Sequence, residues 1–289
     1  LTVVPPETLT YMLAEGATGQ FFDLDVLLVN PNNVAAPVTV TFLKEDGTVI
    51  TQDRTLDPLT RTTIRVEEIA GLEGTSVSTV VTSTFGLPLV VERTMKWDAT
   101  GYGAHTGTAT PGPASAWYFA EGSQGYFSTF LLLANPDTAP NTAHVTYFRE
   151  NEAPLVRDYD LLPSSRRTVI AAEDSELVDR AFGIEVAFDR PGLAERATYF
   201  GTNPFWSGGH ASAGSTAPAT QWFLAEGATG GFFTTYALLA NPNADPVDVT
   251  MTYLPDAGEP VTKVHKVPGR GRVTINIAFE DPTLANAAV

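Results

Sequence analysis

Cysteine is absent from the 289 residues, which excludes a disulfide framework, thiolate metal sites and a cysteine nucleophile. Basic residues are scarce: 17 Lys and Arg stand against 33 Asp and Glu, a formal charge of −16. The acidic groups are dispersed rather than gathered in blocks, so the surface repels polyanions and no nucleic acid partner is expected. No run approaches the ~20 apolar residues of a membrane helix. The richest, Phe130-Leu131-Leu132-Leu133-Ala134, is of strand length, and no membrane insertion is expected. The chain begins at Leu1 without Met, a basic region or an apolar leader, so it reads as a segment of a longer protein. Helical periodicity is nearly missing too. The best candidate, Glu173 to Arg180, has acidic residues in its first turn but is only a turn or two long.

What is present is a repeat. Tyr11-Met12-Leu13-Ala14-Glu15-Gly16 returns as Trp117-Tyr118-Phe119-Ala120-Glu121-Gly122 and as Trp222-Phe223-Leu224-Ala225-Glu226-Gly227. Downstream of each Glu the chain reads Asn30-Pro31, Asn135-Pro136 and Asn241-Pro242. Next come Val38 to Phe42, Ala143 to Tyr147 and Val249 to Tyr253, and then, after Pro58, Pro163 and Pro268, further β-rich stretches. Val77 to Thr84 and Leu89 to Trp97 close the first copy; Gly183 to Phe188 and Ala194 to Phe200 close the second. The third copy reaches Val289 without either closing strand and reads as incomplete: either the sequence is cut there, or the missing strands arrive from elsewhere, for instance from another copy of the chain at an open edge.

Alternation of apolar residues with Thr is the period-two signal of half-buried strands, and β-branched and aromatic residues dominate these runs. About seven short strands per copy, separated by Gly, Pro, Asn and Asp, predict an all-β protein of tandem immunoglobulin-like Greek-key β-sandwich modules. The expected division is an N-terminal segment 1–10 as linker or donor strand, repeat 11–104, linker 105–116, repeat 117–209, linker 210–220, and repeat 221–289 lacking its last two strands. In each copy the Asn can cap a turn with its side chain, while the following Pro cannot donate to a ladder and ends the strand.

Glu15, Glu121 and Glu226 are the sharpest repeated polar residues. A repeated partner carboxylate for catalysis is missing, so they read as structural, accepting backbone N–H bonds in a turn. His105 and His210 recur at matching places but have no His or Cys companion for a metal, and read as junction packing. His144 and His265 are unmatched and read as strand-surface residues. Glu67-Glu68, Glu173-Asp174 and Glu280-Asp281 recur at one loop as hard oxygen donors for Ca²⁺, yet without an Asp-x-Asp-x-Asp-Gly frame they read as a solvated rim. Trp117, Tyr118, Phe119, Trp222 and Phe223, with Phe21-Phe22, Tyr126-Phe127 and Phe232-Phe233, offer either a sugar-stacking platform or core and inter-module packing; their phase with the strands favours packing. Trp97 and Trp206, near the module ends, are the candidates for exposed, ligand-facing rings. There is no nucleophile elbow, His-Glu-x-x-His, P-loop or dinucleotide fingerprint, so no catalytic residue, metal site or cofactor is expected.

Trp-Tyr-Phe-Ala-Glu-Gly at 117–122, with Leu-Leu-Ala-Asn-Pro at 132–136, resembles a tandem repeat of bacterial exported proteins. Copy one departs from it with Tyr11-Met12-Leu13 and with Val29 in place of Ala. The resemblance implies immunoglobulin-like modules on surface or secreted proteins; that family has no assigned activity or site to carry over. The expectation is therefore an extracellular or cell-surface structural or adhesive protein, not an enzyme, that associates with itself or other surface proteins. The alternative is a set of carbohydrate-binding accessory modules of a larger secreted enzyme, with polysaccharide as partner.

Overall fold

The computed structural model describes residues 8–97, 103–202 and 205–289, and these are all-β, with several antiparallel sheets. Among the described residues there is no α-helix, only four three-residue 3₁₀ turns, and hence no helix long and apolar enough to cross a membrane. The first set of strands comprises β1 (Leu9–Leu13), β2 (Phe22–Asn30), β3 (Ala36–Lys44), β4 (Val49–Leu56), β5 (Thr60–Arg65), β6 (Val77–Ser83), β7 (Val90–Trp97) and β8 (Gly103–Thr108). They form two four-stranded sheets, in the orders β1-β6-β3-β4 and β5-β2-β7-β8. Leu24, Val26 and Leu28 of β2 and Val38, Val40 and Phe42 of β3 alternate with less buried residues, so both sheets bury one face against a shared core. The edge strand β4 carries Gln52, Asp53 and Arg54, charges and amides that discourage pairing with foreign strands.

The second set comprises β9 (Ala114–Phe119), β10 (Phe127–Asn135), β11 (Asn141–Arg149), β12 (Leu155–Leu161), β13 (Ser165–Ile170), β14 (Phe182–Thr202) and β15 (Phe205–Ala213). The 21-residue β14 serves both sheets. Its first half pairs with β9 and β11, and its second half with β10 and β15. The orders β9-β14-β11-β12 and β13-β10-β14-β15 match those of the first set, with β14 in the places of β6 and β7. In the third set, among the described residues, β16 (Tyr236–Asn241) pairs with β19 (Gly271–Asn276) alone, and β17 (Val247–Tyr253) with β18 (Val261–Val267) alone.

Several expectations change here. Eight strands, not seven, make up the first set. Much of the stretch 105–116 expected as a linker is strand, because His105 to Thr108 belong to β8 and Ala114 onward to β9; the second expected linker, 210–220, likewise begins inside β15. Sequence composition hid these strands because Gly103 and Gly208 lie under the rings of Trp97 and Phe200, where an added Cβ would meet the rings at 2.1 and 2.3 Å. Of the helix candidate Glu173 to Arg180, Glu173 closes a 3₁₀ turn at Ala171–Glu173 and Ser175 to Asp179 are turn, without an α-helix. Leu9 and Thr10, inside the expected donor segment 1–10, pair in β1 with Ser83 and Thr82 of the same chain; residues 1–7 lie outside the described residues.

Candidate functional site

The Ala-Glu-Gly motif follows β1, and its Gly is required by close approach. A Cβ on Gly16 would sit 2.8 Å from the Val77 carbonyl, and one on Gly122 would sit 2.4 Å from the Phe182 ring. That tight passage delivers Glu15 into a buried junction between the first and second sets. Its Oε2 accepts a hydrogen bond from Arg93 Nη2 at 2.7 Å, and its Oε1 one from the Tyr199 hydroxyl at 3.1 Å. Arg93 Nη1 donates to Glu195 Oε2 at 2.7 Å, and the same oxygen accepts the Glu15 backbone N–H at 2.8 Å. Glu15 is thus held by side chains of Arg and Tyr, in place of the turn N–H donors expected from sequence.

Two carboxylates share one guanidinium here, with Arg93 and Glu195 side chains each 1% exposed. Burial works against the Arg93 charge, but Glu195 and then Glu15 outweigh it and raise its pKa. Burial raises the Glu195 pKa; Arg93 opposes the shift and the Glu15 charge adds to it. His105 Nε2 lies 3.1 Å from the Tyr199 hydroxyl and 3.6 Å from Glu15 Oε1, while its Nδ1 is buried without a partner. Burial lowers the His105 pKa, Glu15 opposes this and Arg93 reinforces it. The pattern is that of a neutral imidazole protonated at Nε2, which donates to Tyr199 as Tyr199 donates to Glu15.

The second set repeats the constellation. Glu121 pairs with Arg196 through Oε2 and lies 3.3 Å from His210 Nε2 through Oε1. Burial opposes ionisation of Glu121, yet His210 and Arg196 hold its pKa down to about 2. Arg196 also donates to the Ser212 hydroxyl at 3.0 Å, and among the described residues it has no second carboxylate to match Glu195 at Arg93; the Nε atoms of both arginines are buried without a partner. Glu226 is exposed and, among the described residues, has no cation partner.

A second contact recurs between sets. Glu45 Oε1 accepts from Arg166 Nη1 at 2.9 Å, from the Thr168 N–H at 3.0 Å and from the Thr168 hydroxyl at 2.9 Å. Glu150 accepts from Arg272 Nη1 at 3.1 Å, the Thr274 N–H at 3.2 Å and the Thr274 hydroxyl at 2.8 Å. Burial lowers the pKa of both guanidinia, against the pull of the glutamates.

Trp97 and Trp206 are not exposed: they are buried at the junction, 1% and 8% accessible, because each fills the seam between sets. Trp97 Nε1 donates to the Trp206 carbonyl at 3.0 Å, Tyr199 stacks on Trp206 at 4.6 Å, and Trp97 meets Tyr199 edge-on at 5.3 Å. Phe21 and Phe22 join this cluster, and Trp117 and Phe119 lie in the core. Tyr126, Trp222, Phe223, Phe232 and Phe233 are exposed.

Asn30, Asn135 and Asn241 end β2, β10 and β16, each followed by its Pro. The amide of Asn30 donates to Val34, Leu56 and Asp57 carbonyls, and its oxygen accepts the Asn32 N–H at 3.0 Å. Asn135 binds Ala139, Leu162 and Asp137 in the same manner, and Asn241 binds Asp245, Pro268 and Asn243. Sequence reasoning missed the companion residues Leu59, Ser164 and Arg270. All three sit at positive φ and donate their N–H to Asn32, Asp137 and Asn243.

Basic partners occupy most of the acidic loop. Glu68 pairs with Arg65, Asp174 with Arg157, Glu280 with His265 and Asp281 with Lys263, while Glu67 accepts the Leu24 N–H. His144 bridges Asp158 and Asp189 on an exposed face. One surface depression, ~290 Å³, is lined by Asp53, Arg54 and Thr84; another, ~370 Å³, by Arg157, Tyr159, Arg167 and Asp174. In the first, the Thr39 hydroxyl donates to Asp53 Oδ1 at 2.7 Å.

No protein-family model matches the chain, and no curated protein matches it in sequence. Among solved structures it is similar to Thermotoga maritima 1070, at 14% identity and a TM-score of 0.33, over 36% of this chain and 94% of that one. It is also similar to red sea bream transglutaminase, at 11% identity and a TM-score of 0.16, over 72% of this chain and 31% of that one. Likenesses this distant carry no functional weight.

Proposed function

We propose that the three strand sets are tandem immunoglobulin-like Greek-key β-sandwich modules of the exported repeat family, and that the chain is a structural or adhesive surface protein, a spacer or filament subunit. The observation that carries this reading is the reuse of one contact: a glutamate from each set clamps an arginine and threonine of the next, Glu45 on Arg166 and Thr168, Glu150 on Arg272 and Thr274. Residue types able to do chemistry are spent on fixing neighbours. A buried, hydrogen-bonded junction resists the hinge motion that a Gly/Ser linker allows, as a spacer or fibre requires. Electron microscopy of native material tests this: straight rods or filaments are expected, and freely jointed beads would refute it.

A second reading, carbohydrate binding, draws on one observation. Tyr126 is 69% exposed and stacks on Phe200 with ring planes 18° apart, a flat aromatic surface of the kind sugars cover. Polysaccharide pull-down that disappears on Tyr126→Ala supports this second reading, and failure to retain any polysaccharide removes it.

A further inference from the structure

We propose that the second set carries a binding groove for a uronate residue of an acidic polysaccharide, at the seam where its two sheets bring their edge strands β12 and β13 together. The depression there, ~370 Å³, falls in the size range of small-ligand sites, and its lining belongs to the second set alone. Tyr159 lies opposite Ala143 and Arg167 opposite Leu133. Both of those partners are fully buried, so Tyr159 and Arg167 stand on the inward sides of their strands and meet across the seam. The Arg167 guanidinium lies 5.2 Å from the centre of the Tyr159 ring, and a hydrogen bond of 3.3 Å between the Tyr159 and Tyr147 hydroxyls fixes that ring.

The donors left over name the ligand. Arg157 is committed: Nε and Nη2 bond Asp174 at 2.7 and 3.3 Å, and Nη1 the Val156 carbonyl at 3.0 Å. Arg167 is exposed, and only its Nη1 has an acceptor, the Asp160 carbonyl at 3.4 Å. Among the described residues no carboxylate lies within salt-bridge distance of it, whereas Arg149, Arg166, Arg180, Arg190 and Arg196 of the same set each hold one. One uncompensated guanidinium calls for one anionic group. Glu173 and Ser175 beside it, both exposed, offer acceptors to hydroxyl donors, and Glu173 with Asp174 repels a dianion such as phosphate. A carboxylate flanked by hydroxyls, as in a uronic acid, meets both requirements. The formal charge of −16 does not oppose it, because at 0.15 M salt charges beyond ~8 Å are largely screened. Nor is the groove part of the repeated frame: Thr62 and Arg54 take the places of Arg167 and Tyr159 in the first set, opposite Leu28 and Val38, and Val273 and His265 take them in the third, opposite Leu239 and Val249. The inference adds a ligand class to the adhesive reading and uses neither the rod nor Tyr126.

The test titrates the full chain with an oligogalacturonate by calorimetry at 0.15 M salt. A Kd on the order of 0.1 mM is expected, with slowed amide exchange confined to residues 155–175. Arg167→Gln, at an exposed position, should leave Tm unchanged and weaken binding at least ~10-fold, and Arg167→Lys, which keeps the charge but not the fork, should recover part of the loss. The methyl-esterified oligomer should not bind, and Tyr126→Ala should change nothing. Absence of binding at ~10 mM, equal affinity for the methyl ester, indifference to Arg167→Gln, or equal affinity for inorganic phosphate overturns the proposal. Rods seen by microscopy alongside such a failure leave the structural reading standing, and polysaccharide held through Tyr126 alone removes only this groove.

Discussion

Replacing Arg93 by Met is the most searching perturbation of the junction. The thioether fills much of the same length but leaves Glu15 and Glu195, 5% and 1% exposed, facing each other without a cation. Removing one member of a buried ion pair costs about 3–5 kcal/mol, because the surviving charge stays desolvated. Two survivors place Arg93→Met at the upper end. For a cooperative body of ~200 residues, at about 2–4 °C per kcal/mol, Tm should fall by roughly 10–20 °C near neutral pH. The sign of the pH dependence follows from the raised Glu195 carboxyl. A carboxyl whose folded pKa lies above its unfolded value of ~4.3 binds its proton more tightly when folded. Its stabilising effect is complete below ~4.3 and lost as pH rises through the folded value. The variant should therefore recover stability as the pH falls from neutral towards ~4.3, and Glu15→Gln with Glu195→Gln added to Arg93→Met should restore part of the loss at neutral pH. Thermal unfolding followed by circular dichroism at neutral pH and near pH ~4.3 reads all three effects. A loss under ~1 kcal/mol, or an equal loss at both, would refute the account of the junction.

Glu121 titrates the opposite way. Its pKa is lowered to about 2, so its contribution is present above the unfolded value of ~4.3 and disappears as pH falls through about 2. Because the side chain is 33% exposed, solvent screening reduces that contribution to about 1–2 kcal/mol. Glu121→Gln should lower stability by that amount near pH 7 and by almost nothing near pH 2, measured by urea unfolding. Asn135→Asp keeps the acceptor for the Asp137 N–H but loses both donors to Ala139 and Leu162; a drop of about 2–4 kcal/mol is expected from the urea midpoint, and a neutral result would show the corner to be dispensable.

The strands and their repetition were readable because alternation and turn residues are local signals. Asn30, Asn135 and Asn241 could be assigned to turns from their own chemistry and the Pro that follows. The junction was not readable in this way. Glu15 finds Arg93 78 positions away and Glu195 180 positions away, and nothing in the neighbourhood of Glu15 encodes either. Its repeat in Glu121, together with the matched His105 and His210, was the available signal; pairing it with Arg93 and Arg196 required knowing that β7 and β14 cross above the motif. Trp97 and Trp206 read as exposed because they lie near the module ends beside Gly-rich stretches, yet those glycines are what allow the neighbouring strands to close over aromatic rings.

The continuity of β14 has a consequence for how the molecule comes apart. In the first set β6 and β7 are separate, divided by a corner at Phe85 and Gly86, both at positive φ, so one sheet can loosen while the other persists. In the second set a single uninterrupted segment is ladder partner to four others, two on each layer. Peeling either layer tugs the same backbone out of its opposite, which makes the central portion of the chain the most cooperative and the last to yield.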